Sequence, residues 1–171
     1  MFYPLVLLAA SIYAGGAYVF NFNYDTQKWE YAQEMTTPAS ITGDRVGFSV
    51  TISGRFVVLG SPYNRQFGNA TGAIYIYDKG GNDGDTFTQK ETKHSPSLTP
   101  NGLFGWSVAS NSNGTIAVGA KGDRNAKGAV YIFKPNELDS WTHVFTIEPD
   151  DITASPSTGG NFGWDVAIDT A

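Results

Sequence analysis

The densest group of carboxylates in the chain lies in DKGGNDGD at residues 78–85, where Asp78, Asp83 and Asp85 fall close together. Side chains of this type could gather around a hard cation, which takes several oxygen ligands. The spacing does not fit an EF-hand loop, in which ligands alternate and glycine holds the sixth place. The same residues suit a hairpin turn, because Asp-Gly pairs supply positive φ; a solvated turn is the reading adopted. Lys121-Gly122-Asp123 has the form of a short adhesion tripeptide and is read as a polar hairpin between two strands. His94 and His143 are the two histidines, and neither belongs to a nucleophile motif. There is no G-x-S-x-G and no cysteine, so nucleophilic catalysis of the familiar kinds is not expected. The Asp150-Asp151 pair reads as a solvated loop, and no glycine-rich phosphate loop opens a helix. Catalytic residues, metal ligands and cofactors are therefore all expected to be none. Two sequons, at Asn69 and Asn113, fall in expected loops and are candidate glycosylation sites.

The 171-residue chain has a net charge of −5, with 16% charged residues, 14% aromatics and 20 glycines. The acidic balance argues against a nucleic-acid partner, and no basic run suits an anionic membrane. Lack of cysteine leaves the compartment open, since a domain with a real core does not need disulfides. The apolar start, MFYPLVLLAASIYA, lacks the positive n-region of a signal peptide. Pro4 and the Gly15-Gly16 pair also make it too short and broken to span a bilayer. Residues 5–10 are expected to be a core strand instead.

The elements that must position these residues are written as repeated words. VGFSV at 46–50 returns as FGWSV at 104–108 and FGWDV at 162–166, at an interval of 58 residues. A second word, GAYVF at 16–20, returns as GAIYIY at 72–77 and GAVYIF at 128–133, every 56 residues. Between them lie FVVLGS at 56–61 and IAVGAK at 116–121, with LVLLAA at 5–10 in the same relative place. A fourth word alternates: KWEYAQEM at 28–35, TFTQKETK at 86–93 and WTHVFTIE at 141–148. Alternation with period two indicates a strand buried on one face. The wholly apolar words indicate strands covered on both. Ser53-Gly54 and Asn113-Gly114 separate the first and second strands of their units by tight turns. Asn82 through Asp85 does so between third and fourth strands. No segment sustains a helical period, so almost no helix is expected.

Each unit is thus four antiparallel strands. A lone sheet with two apolar faces must stack on its neighbours, and radial stacking gives a β-propeller. The combined pattern FG-x-SV, a strand ending in VGA or LGS, then GA-x-Y(V/I)(F/Y), resembles the FG-GAP repeat, the blade of integrin-α-type propellers. The resemblance covers nearly the whole chain. It implies blades of an all-β propeller-like stack and a structural or binding role. Calcium-binding members carry an Asp-rich loop between first and second strands. Here the corresponding loops are SNSNG at 110–114 and ISG at 52–54, without a carboxylate, so calcium is not expected there.

The expected organisation is one array: a headless blade at 5–45, blades at 46–103 and 104–161, and the first strand of a next blade at 162–171. The strand phase is offset by one. About three blades are too few to close a propeller. The array is therefore either a piece of a longer repeat protein or completes itself between copies. In the second case Phe162, Gly163, Trp164, Val166 and Ile168 would form a donated strand, giving a ring or a filament. The function expected first is a non-catalytic extracellular or cell-surface scaffold, structural or adhesive, with its own copies or neighbouring blades as partners. The alternative is part of a receptor-like propeller recognising protein or glycan through its loops, around residues 64–68 and 121–127.

Overall fold

The computed structural model describes residues 6–11, 15–38, 41–80, 86–149 and 159–169. Within them eleven strands form three antiparallel sheets. The first sheet has the order β1 (Val6–Ser11), β2 (Gly16–Asn23), β3 (Lys28–Met35). The second runs β4 (Ser49–Ser53), β5 (Phe56–Ser61), β6 (Ala73–Asp78), β7 (Thr88–His94). The third runs β8 (Phe104–Ser110), β9 (Ile116–Ala120), β10 (Ala129–Pro135), β11 (Trp141–Ile147). The short helical segment Asp123–Ala126 is a left-handed turn, with φ of 51° at Arg124 and 58° at Asn125. The chain is all-β, with four-stranded antiparallel sheets stacked as propeller-like blades.

The stacking follows from the apolar words. Strands β5, β6 and β9 are buried along almost their whole length, whereas β3 and β7 are largely open to solvent. Between the first and second sheets, Ala17, Val19 and Met35 meet Val57, Leu59, Tyr75, Tyr77 and Phe87. Between the second and third, Val58, Ile74 and Ile76 meet Val118, Tyr131, Phe133 and Trp141. The middle sheet is thus covered on both faces. Each buried large side chain contributes about 1.5–3 kcal/mol. Polar clips tie the outer strands. Gln33 accepts from the Phe87 amide (2.7 Å) and donates to its carbonyl (2.6 Å). Glu91 accepts from the Trp141 amide (2.9 Å) and the Ser140 hydroxyl (3.0 Å).

The geometry corrects the alignment of the GA words. Gly15, Gly72 and Gly128 share positive φ (71°, 88° and 87°), and Gly16 does not. The equivalent of Ala73 and Ala129 is therefore Gly16, and the intervals are 57 and 56 residues rather than a constant 56. The shift of one decides which side chains face which neighbour. It puts Tyr18 and Phe20 at the places of Tyr75 and Tyr77, and Val19 at the place of Ile76.

The FG glycine is where neighbouring blades come closest. What approaches it is backbone. A Cβ on Gly105 would lie 2.5 Å from the Ala73 carbonyl oxygen; on Gly47, 2.4 Å from that of Gly16; on Gly163, 2.6 Å from that of Ala129. All three glycines have φ near 82–86°. The turn they make delays the ladder. Gly47 and Phe48 both donate to the Gly60 carbonyl (2.9 and 3.1 Å) before β4 starts, and the β8–β9 register shifts between Phe104 and Ser107.

Gly105→Ala combines a forbidden φ with a clash against fixed backbone, and each effect costs about 1–3 kcal/mol. Urea unfolding of this variant should show a loss of about 3 kcal/mol or more. A loss under 1 kcal/mol would mean that the blades are not held this closely.

Candidate functional site

Several of the exposed large apolar residues lie on the two outward faces of the stack. Alternation along β10 turns Val130 and Ile132 away from the second sheet, and β11 adds Phe145 and Ile147 by pairing with them. Phe145 is 61% exposed and Ile147 40%. At the other end, β2 turns Tyr18, Phe20 and Phe22 outward, paired with Glu34, Tyr31 and Trp29. There Phe20 packs edge-on to Tyr31 (6.0 Å) and Phe22 to Trp29 (5.3 Å).

The segment 159–169 lies against the forward face of the third sheet. Asn161 donates to the Ala126 carbonyl (3.0 Å) and Phe162 to that of Lys127 (2.9 Å). Phe162 bridges Gly128 in parallel, as Phe104 bridges Gly72. Ser107 donates to the Gly163 carbonyl (2.9 Å), repeating Ser49 to Gly105 (2.9 Å). Gly163 is buried, Phe162, Val166 and Ile168 are half-buried, and Trp164 is exposed. A groove of about 440 Å³ remains, lined by Ala117, Val130, Ile132, Ile147, Val166 and Ile168 among others. The segment is not a strand beyond the single bridge. A strand exists through its ladder, and the ladder partner of β8 is β9, the next strand of its own sheet. The described residues contain no such partner for 162–169.

Lys121 helps hold this segment. Its ammonium lies 3.3 Å from the Trp106 ring centre and 3.7 Å from that of Trp164, with the indoles 5.2 Å apart. Burial pulls the ammonium pKa below its ordinary value, which the indole faces offset by cation–π attraction. At the preceding junction Phe48 packs on Trp106 (4.6 Å), and Arg45 covers Tyr63 (4.3 Å).

Asp123, read from sequence as part of a polar hairpin, is instead fully buried. It accepts bonds from Tyr131 and, at 2.9 Å, from Ser97. Burial raises its carboxyl pKa, but bonds from the Thr99, Tyr131 and Ser97 hydroxyls and the Arg124 amide outweigh that and hold it below the ordinary value. Burial and then Asp123 push the Tyr131 hydroxyl up to about 12. Asn64 takes the same place one sheet earlier, donating to Tyr75 (3.1 Å) and to the buried Asp44 (3.2 Å). The signal for these residues was the tyrosine recurring in the GA word, whose buried hydroxyl requires a partner.

The remaining candidates separate. Asp78 pairs with Arg55 (3.2 Å) and Lys90 (3.6 Å); Asp83 and Asp85 lie outside the described residues, as do Asp150 and Asp151. In SNSNG, Asn111 accepts from the Asn113 and Thr115 amides (3.1 and 3.0 Å), a local turn. Asn69 and Asn113 are both exposed. Asn69 donates to Asn101 (3.1 Å) across the junction of the second and third sheets. His143 is exposed, beside Tyr131 and Phe133. His94 is packed edge-on to Phe67 (4.5 Å), with a buried, unpartnered Nδ1. Burial lowers its pKa, and a backbone contact with Gly72 raises it less. These placements bring no nucleophile and base together among the described residues.

Two outcomes follow. Asp123→Ala leaves the Tyr131 and Ser97 hydroxyls without their acceptor and should cost about 1.5–3 kcal/mol, while Asp123→Asn, the natural solution at residue 64, should cost under about half as much in urea titrations. For His94, protonation is favoured in the unfolded chain. Its contribution is complete above its ordinary pKa of 6.5 and is lost as pH falls from there to the lowered folded value. The Tm of the wild type should therefore drop more steeply below pH 6.5 than that of His94→Gln; parallel curves would exclude this role.

Among the described residues no helix is long and apolar enough to cross a membrane. No curated protein matches the chain. Residues 29–77 and 99–133 match the family model described as FG-GAP repeat. The first stretch runs from the outer strand of the first sheet through β6, and the second from just before β8 into β10. Both hold an FG turn and a GA word, the two features that bring neighbouring backbones together here, each FG turn meeting the GA word of the preceding unit. The chain belongs to the FG-GAP repeat family, and its sheets are blades of the β-propeller type.

Proposed function

We propose that the chain is a non-catalytic scaffold module of the cell surface or extracellular space, structural or adhesive, that works by blade-to-blade association. Phe162, Gly163, Trp164, Val166 and Ile168 are the donated strand, completing a sheet in another copy or in a neighbouring blade. One observation carries the reading: both outward faces bear the same residue types that are fully buried at the two internal junctions. Uncovered apolar faces of this kind mark interaction surfaces. The exposed Asn69 and Asn113 suit glycan attachment in that compartment. The net charge of −5 disfavours nucleic acid as a partner.

A second reading has its own support. Phe48, Trp106 and Trp164 form a continuous aromatic ladder with Lys121 across it. Such rings offer stacking faces to a glycan or a protein side chain, which would make the module the ligand-binding part of a larger receptor-like propeller.

Deletion of residues 162–171 separates the two. Association measured by sedimentation velocity should be lost while the strand signal in circular dichroism stays. Association that survives the deletion unchanged would rule out strand donation. A monomer whose Trp164 fluorescence responds to glycans would favour the receptor reading.

A further inference from the structure

We propose that the aromatic back face of the first sheet is the docking surface for the third sheet of a second copy of this chain, with Phe145 stacking on Trp29 where the internal junctions use a polar clip. The proposal rests on the association reading above and names the two surfaces that meet.

The internal junctions define what covers a forward face. Ile74 and Ile76 are covered by a tyrosine and an aromatic two places on, Tyr131 and Phe133, and by Trp141 at the start of the outer strand. The junction before it repeats the pattern with Tyr75, Tyr77 and Phe87. In the first sheet the same places hold Tyr18, Phe20 and Trp29. Trp29 pairs with Phe22 at the start of β3, as Trp141 pairs with Pro135 at the start of β11. Phe87 and Trp141 are 3% and 0% exposed, but Trp29 is 41% and its neighbour Tyr31 61%. The first sheet therefore carries a complete covering face with nothing under it among the described residues.

The forward face of the third sheet asks for that cover, with Val130 and Ile132 at the places of Ile74 and Ile76. Its outer strand differs at one point. Gln33 pairs with Val19, Glu91 with Ile76 and Phe145 with Ile132. Gln33 and Glu91 are the clips that hold the backbone at Phe87 and Trp141. Phe145 has no polar group to offer, so the junction beyond the third sheet cannot be a copy of the internal ones. A ring at the clip position is matched by a ring, and Trp29 is the residue that the register brings opposite. The remaining edge also fits. Strands β5 and β9 each pair with a first strand on one side, and β1 has that side open among the described residues. Residues 165–169, already seated on the third sheet, lie where a first strand would run.

The chain has no cysteine, so engineered pairs report on proximity cleanly. Phe145→Cys and Trp29→Cys proteins, mixed under mild oxidation, should cross-link at least about tenfold faster than Trp29→Cys mixed with Leu138→Cys, because juxtaposed thiols share a high effective concentration. Leu138 is 83% exposed on the β10–β11 turn. Sedimentation of the unmodified chain is measured alongside. Association with the selective cross-link supports the proposal. Association with equal rates overturns this assignment of surfaces and leaves the association reading standing. A monomer at all concentrations, with equal rates, overturns both.

Discussion

A sheet that is apolar on both faces has one way to be buried, which is to lie between two others. That constraint governs this chain. The middle sheet satisfies it, with Tyr75 and Leu59 sheltered on one side and Ile74 and Ile76 on the other. The outer two sheets satisfy it on one side each: the other face of the first has no cover among the described residues, and that of the third is covered only in part, by residues 159–169. The covered and uncovered faces are therefore one surface type, divided by whether a covering sheet lies among the described residues.

Burial alone does not fix the distance between blades; the backbone does. The FG turn places a positive-φ glycine against the carbonyl of residue 16, 73 or 129 of the preceding unit, at distances that leave no space for a side chain. Hydroxyls then cross the gap: Ser49 reaches Gly105 and Ser107 reaches Gly163. Because these bonds use backbone acceptors, the packed side chains can vary without changing the spacing. Val46 stands where other units have phenylalanine, and the neighbouring carbonyl still meets its glycine. Segment 159–169 repeats these contacts, with Gly163 against the Ala129 carbonyl and Phe162 bridging Gly128, while belonging to no sheet among the described residues.

Much of this was legible in the sequence. The repeated words located most strands to within two or three residues, but the strand expected at 162–168 is reduced to a single bridge; all-apolar versus alternating runs told inner strands from outer ones. The register of the first GA word was not legible, because Gly15-Gly16 offers two starts and only the backbone angle distinguishes them. That one-residue difference exchanges the faces of β2 and so conceals which residues of the first sheet are uncovered. Buried Asp123 was missed for a similar reason: beside Lys121 and Gly122 it resembles a solvated turn, and its partner Tyr131 comes from the next strand. Phe145 looked like any alternating residue until the bulge in β11 placed it at the clip position. Asp78 shows the converse, a conspicuous acidic signal that Arg55 and Lys90 neutralise.

Mutual shelter is most directly read by native-state hydrogen exchange, which resolves the opening free energy of each strand. Amides of β5 and β6 in the twice-covered sheet should exchange only by global unfolding, while those of β2 and β10, each beside one uncovered face, should open at lower free energy in the monomer. Equal protection in all three sheets, or slowest exchange in the first, would contradict the account.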